Sequence, residues 1–400
     1  MLPKRIEIAP GAVVMSIHMK SILAACLLAT VSALPFNAQA QNDNPYAAAE
    51  LQQEHDQYVH DQSEGIYNSM IQDMHNRQDE ATKSAWWNQP TASDSSPPPP
   101  PSVVASYTYI IYQHQDPIPI FTDRANKGDA EAARGLGEMY ATGTGVAQDD
   151  AQSAAWFGKG ADEGDTESQA VYGMLLMTGR GVARDPVAGT TYLKQASDKG
   201  DIVATANLGL AYEIGDGVSQ DSTEAARLYR IAADAGNAAG ETGLGRYEIL
   251  GEGVDQDPES GVQLMKAASD QGNIYAMTAY ATALGVGKYG LTADPDEAFR
   301  LLTIAANAGN TAAMGQLGDY YASGLATTAD TVTAVSWWEK AADANEEEAL
   351  ANLAVTYYNG ADGVPQDLNK AYDYATRAAK LGDDQMTGMA QELAGRGYGG

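Results

Sequence analysis

A glycine followed by an acidic or amide residue recurs at Gly128-Asp129, Gly164-Asp165, Gly200-Asp201, Gly236-Asn237 and Gly272-Asn273, each pair 36 residues after the last. The beat continues, with one-residue insertions, through Gly309-Asn310, Asn345-Glu346 and Gly382-Asp383. A fixed period of this length means that one supersecondary unit is copied about seven times, and units that cannot bury their apolar face alone must stack to share a core. Length then stops being a guide to domain number, because a stacked array has no single core to saturate.

The chemistry of one unit predicts two helices. In the first unit, helix A should cover residues 130–141 and helix B residues 150–162. Gly128 suits the left-handed residue that ends the preceding helix, and Asp129 can accept hydrogen bonds from the free amides that open the next. Gly143 and Gly145 permit the turn inside the unit, and Asp149 caps helix B, as do Asp185, Asp221, Asp257, Asp294, Asp330 and Asp367. Proline follows that cap at Pro186, Pro258 and Pro295, in the first turn where its missing N–H costs little. Helix A carries Leu136, Leu208, Leu244, Leu317 and Leu353 at one offset, with Gly137, Gly209, Gly245 and Gly318 beside them to let helices approach. Helix B presents aromatic and apolar pairs such as Trp156-Phe157, Leu228-Tyr229 and Trp337-Trp338.

The pattern G-D-A-E-A, L-G, Y, G-x-G-V, D and W resembles the Sel1-like repeat, a relative of the tetratricopeptide repeat. The first unit carries it as Gly128-Asp129-Ala130-Glu131-Ala132, Leu136-Gly137, Tyr140, Gly143-Thr144-Gly145-Val146, Asp149 and Trp156. The resemblance implies an all-α, right-handed α/α superhelical solenoid of about seven 36-residue helix pairs, preceded here by a flexible polar N-terminal segment. Departures fall in the later units: Gly240 and Gly243 should loosen helix A of the fourth, Lys288-Tyr289-Gly290 should distort the turn of the fifth, Ala326 replaces a turn glycine, and Asn345 replaces the opening glycine of the seventh. The resemblance also implies an adaptor that assembles or regulates complexes. Cysteine-rich relatives with β-lactamase-like activity staple each repeat with paired cysteines, and this array has none.

Residues 1–40 read as an export signal. Lys20 is the basic flank, residues 21–34 are mostly apolar and small, and Ala38-Gln39-Ala40 offers a cleavage site, with Met15 or Met19 as the start. The stretch is short for a membrane span, which needs about 20 apolar residues. Leu23-Ala24-Ala25-Cys26 also resembles a lipobox, but anchoring at Cys26 is the weaker reading because the apolar run continues past it. Residues 41–90 are polar, with one helical stripe at Tyr67, Met70, Ile71 and Met74; residues 91–103 form a Pro/Ser-rich linker. Residues 104–127 should cap the solenoid, residues 128–382 hold the repeats, and residues 383–400 a C-terminal cap and Gly-rich tail.

Lys and Arg total 24 against 53 Asp and Glu, a net charge of −29 that argues against a nucleic-acid partner. Residues 1–40 contain Lys4, Arg5, Lys20 and Glu7, a net +2, so their removal would take −29 to −31. The array contains neither His nor Cys, and no hydrolase, zinc or phosphate-loop pattern occurs, so no enzyme, metal or cofactor is expected. His55 and His60 would point about 140° apart on a helix and do not suggest a metal pair. Glu346-Glu347-Glu348 and Asp383-Asp384 sit at unit boundaries, where caps and solvated faces account for them.

Function therefore reads as a noncatalytic protein-binding adaptor in the bacterial envelope, periplasmic or secreted and monomeric. A cell-wall hydrolase or a secreted host-protein-binding factor is the alternative. In a helical-pair solenoid the concave side, lined by helix A, is the usual binding side. The positions two past the conserved-offset leucine, Glu138, Arg246 and Asp319, with neighbours Met139 and Tyr320, are the candidate partner-binding residues and are expected to face solvent.

Overall fold

The computed structural model describes residues 117–399. The signal, Cys26, His55, His60, the helical stripe at 67–74, the Pro/Ser-rich linker and the first part of the cap lie outside them.

The described residues fall into two compact bodies, 117–240 and 241–399. The first contains α1 (Pro117–Asn126), α2 (Ala130–Thr142), α3 (Asp150–Asp162), α4 (Thr166–Thr178), α5 (Pro186–Asp198), α6 (Ile202–Ile214) and α7 (Ser222–Asp234). The second contains most of α8 (Ala238–Leu250), then α9 (Pro258–Asp270), α10 (Ile274–Val286), α11 (Pro295–Asn307), α12 (Thr311–Ser323), α13 (Thr331–Asp343), α14 (Glu347–Asn359), α15 (Leu368–Lys380) and α16 (Asp384–Gly395). Within each body consecutive helices pack in chain order, as a solenoid requires. Among the described residues there is no strand, only the isolated bridge Ala361–Val364.

The boundary residues work as their chemistry predicts. Gly128 is left-handed at φ 89°, and Asp129 accepts the Ala132 amide at 3.0 Å to open α2. Asp149 takes the Ala151 and Gln152 amides to open α3, at 2.9 and 3.0 Å. One dipeptide thus stops one helix and starts the next. The irregular units adapt without losing helices. Tyr289, Ala326 and Asn345 adopt positive φ of 54°, 59° and 58°, in the left-handed region that favours glycine. Helix α8 keeps all 13 residues. Gly240 does not loosen it: an added Cβ would meet the Ala232 Cβ at 2.5 Å, so glycine is there for close approach.

Apolar stripes converge into short cores along each body. Phe121 and Ala125 of α1 pack with Leu136 and Met139 of α2, so the segment before the first repeat covers its end. In the second body Leu301, Leu302 and Leu317 form one cluster, and Trp338, Leu350, Leu353 and Leu393 another. The glycine beside the helix-A leucine admits the aromatic ring of helix B. A Cβ at Gly137 would meet the Phe157 ring at 2.9 Å, and one at Gly318 would overlap the Trp338 indole.

Candidate interaction surface

The positions two past the leucine do not form the open row the sequence suggests. Glu138 and Met139 are each 2% exposed and Arg246 is 9% exposed; Asp319 and Tyr320 are half-buried. The correction has a geometric cause. In a stacked array this face of helix A lies against neighbouring helices before and after it, so its residues meet protein before they meet solvent. Met139 belongs to the core with Phe121 and Leu136. Arg246 lays its guanidinium 5.0 Å from the Tyr247 ring centre. Tyr320 packs on Phe299 at 5.9 Å between ring centres, and burial pushes its hydroxyl up to about 12.

What occupies the face is a polar seam between successive A helices. Thr282 donates to Gln316 of the next unit at 2.8 Å, and Asn352 donates to Asp319 of the preceding one at 2.9 Å. An acid cluster on this face in the first body and one in the second differ in charge balance. Near the start of the array, Arg134 reaches Glu167 at 2.5 Å, Glu138 at 3.3 Å, Asp165 at 3.5 Å and Glu131 at 3.9 Å. Burial opposes the guanidinium charge, but these four carboxylates hold its pKa above the ordinary value.

Toward the end of the array, Asp319 accepts the Trp338 indole N–H at 3.0 Å as well as the Asn352 amide. Glu346 accepts the Ala349 amide at 2.6 Å and so caps α14. Glu348 stands beside them. All three are half-buried, so the cap expected of Glu346 is present but the solvated face expected of this run is not. Burial, then the charges of Glu348 and Glu346, push the Asp319 carboxyl well above the usual carboxylate range. Burial and the neighbouring Glu348 and Glu347 raise Glu346 to about 7, against the pull of the Ala349 amide. Burial and Glu347 raise Glu348. Sequence reasoning singled out Asp319 here and missed Trp338, Glu346, Glu348 and Asn352 as its company. The signal available was the spacing: 27 residues then two separate both Glu138, Asp165, Glu167 and Asp319, Glu346, Glu348.

Two surface clefts lie away from these acids. One of about 460 Å³ lies beside Asp162, Gln169, Tyr192 and Gln195; one of about 280 Å³ lies beside Val332, Tyr357, Pro365 and Lys370. Tyr192 donates to Asp162 at 2.6 Å, which raises its hydroxyl to about 12. A phenol held protonated in this way is a poor nucleophile or base at neutral pH.

The Sel1 repeat family model matches residues 130–165, 166–201, 202–237, 238–273, 274–310, 311–346 and 347–383. The chain belongs to the Sel1 repeat family. Proteins built from Sel1 repeats generally mediate protein–protein interaction. Among solved structures, the chain is similar to a protective antigen of uropathogenic Escherichia coli that displays the same repeat fold. That likeness has a TM-score of 0.57 at 28% identity and covers 72% of this chain and 63% of the antigen. It is also similar to a Sel1 repeat protein from Oxalobacter formigenes, with a TM-score of 0.53 at 26% identity, covering 83% of this chain and 93% of that one. Cytochrome c oxidase assembly factor 7A of Xenopus laevis is 44% identical over 54 residues, which span 14% of this chain and 23% of that protein. No helix among the described residues is long and apolar enough to cross a membrane.

Proposed function

We propose that this Sel1 repeat protein is a noncatalytic adaptor or regulator of the bacterial cell envelope, periplasmic or secreted, that binds a protein partner through the seam side of its helix pairs. The observation that carries the reading is the array itself, whose recurring residues are occupied by capping and packing. Of the five positions singled out for partner binding, Asp319 and Tyr320 retain exposed surface, which supports a role for these two in meeting a partner. Glu138, Met139 and Arg246 act on the scaffold beneath. Support for export comes from the apolar run of residues 21–34 with Ala38 and Ala40 behind it, and the kinship with a protective antigen accords with it.

Crosslinking with mass spectrometry in the native organism tests this reading, because it names the partner and maps the surface together. The expected result is a saturable envelope protein crosslinked near α12 and α14. Recovery of no protein partner, together with turnover of peptidoglycan or a β-lactam by the purified chain, would overturn it.

A further inference from the structure

The carboxylates Asp319, Glu346 and Glu348 occupy the same repeat positions as Glu138, Asp165 and Glu167, but the residue that balances the first trio is absent from the second. Arg134 is the fifth residue of the first matched repeat; the fifth residue of the sixth is Gly315. No other pair of neighbouring repeats carries carboxylates at all three positions. The first trio therefore shows, inside the same protein, what this arrangement of acids holds: a guanidinium, gripped by three carboxylates from two adjacent A helices and the cap between them.

At the second trio no cation takes that role. Among the described residues, Asp319, Glu346 and Glu348 make no ion pair, and the charged groups that act on them are carboxylates, Glu347 included. The neutral side-chain donors present, the Trp338 indole and the Asn352 amide, both reach Asp319, and Glu346 accepts only the backbone amide of Ala349. The first atoms a Cβ on Gly315 would meet are those of the Glu346 carboxylate, at 3.0 Å, so this carboxylate faces the glycine that stands at the repeat position of Arg134. As whole residues the three acids are half-buried, each keeping part of its surface exposed.

From this internal comparison we infer that Asp319, Glu346 and Glu348 form a receptor for an arginine side chain of a protein partner, which supplies in trans the guanidinium that Arg134 supplies in cis. The inference rests on the protein-binding reading above and names the chemistry the partner must present. Arginine fits better than lysine, because its planar fork spreads several donors among carboxylates that flank it, whereas an ammonium is a point charge. A metal ion fits poorly, since among the described residues no acidic group converges closely enough to hold one. Complementary charge also steers the encounter of a basic partner with a chain at −29.

The test follows the Trp338 indole N–H by NMR in the full chain, assigned with Trp338→Phe, during titration with argininamide, citrullinamide and calcium chloride at pH 8 and constant ionic strength. A saturable shift with argininamide at millimolar concentration is expected, with none from the neutral citrulline isostere. The response should weaken at pH 5.5, where protons compete for the carboxylates. Gly315→Arg places the cation in cis and should abolish the response while raising the melting temperature; Gly315→Gln, of comparable bulk and uncharged, should do neither. Equal shifts from citrullinamide, a response from calcium alone, or an argininamide response that survives Gly315→Arg would overturn the inference. The two readings separate cleanly. A crosslinked partner whose binding Gly315→Arg leaves unchanged removes the arginine receptor and keeps the adaptor. An argininamide response with no protein partner does the reverse.

Discussion

The carboxylate trio near the start of the array and the trio near its end use the same three repeat positions and solve the resulting repulsion differently. Around Glu138 the answer is a cation: Arg134, whose side chain is 17% exposed, is shared among four acids. Around Asp319 the answer is neutral donors. Trp338 stands at the repeat position of Phe157 and Asn352 at that of Val171, and each donates one hydrogen bond to Asp319. Neutral donors offset desolvation but do not cancel charge. The first trio is consequently a structural clamp between repeats, while the second retains acids whose affinity for protons, or for a cation, is raised.

The comparison breaks most readily at Arg134. Arg134→Met should cost about 3 kcal/mol in urea unfolding, because it strands the buried Glu138 among like charges. Adding Glu138→Gln should return a good part of that loss; a cost below about 1 kcal/mol for Arg134→Met would mean the clamp is not one. Next in size is Trp338→Phe, which gives the second trio the aromatic residue of the first. Loss of the donor to Asp319 should cost about 2 kcal/mol and push the Asp319 carboxyl higher still.

The second trio should also make stability depend on pH. Glu346, at about 7 in the folded protein against an ordinary 4.5, holds a proton that the unfolded chain has already released. Its contribution to stability should therefore be greatest below about pH 4.5 and be lost as pH rises toward about 7. Asp319 and Glu348, raised as well, act in the same direction. Melting temperatures measured across that window should fall with pH, and Glu346→Gln should flatten the fall, since the amide oxygen can still accept from Ala349. A Glu346→Gln profile as steep as the parent's would remove Glu346 from the account. Smallest is Glu131→Gln. At 3.9 Å from Arg134 and 46% exposed, Glu131 should change unfolding free energy by no more than about 0.5 kcal/mol.

Much of the fold was legible because capping chemistry is local. Gly128-Asp129 and Asp149 announce their helices within a few residues, and α2 ends one residue beyond the expected position. The surface was less legible. Counting two residues past Leu136 finds a helix face but not what lies against it, and for Glu138 and Met139 the answer was protein. Gly240 was misread for a related reason: flexibility is a property of glycine alone, whereas a 2.5 Å approach to Ala232 belongs to two helices. The equivalence of the two trios lay in the repeat spacing from the start, but spacing cannot tell whether Gly315 leaves its neighbours without a counter-charge.

The amino-acid sequence by itself determined the repeat length, the helix pairs, their caps and the family, since each follows from interactions spanning at most one unit. Only the tertiary structure decided which carboxylates are shielded, which share a cation and which do not. Burial and charge balance at the seam depend on side chains about 30 residues apart, brought together when one unit stacks on the next, and the energy of an ionised group is set by that company and not by its own identity.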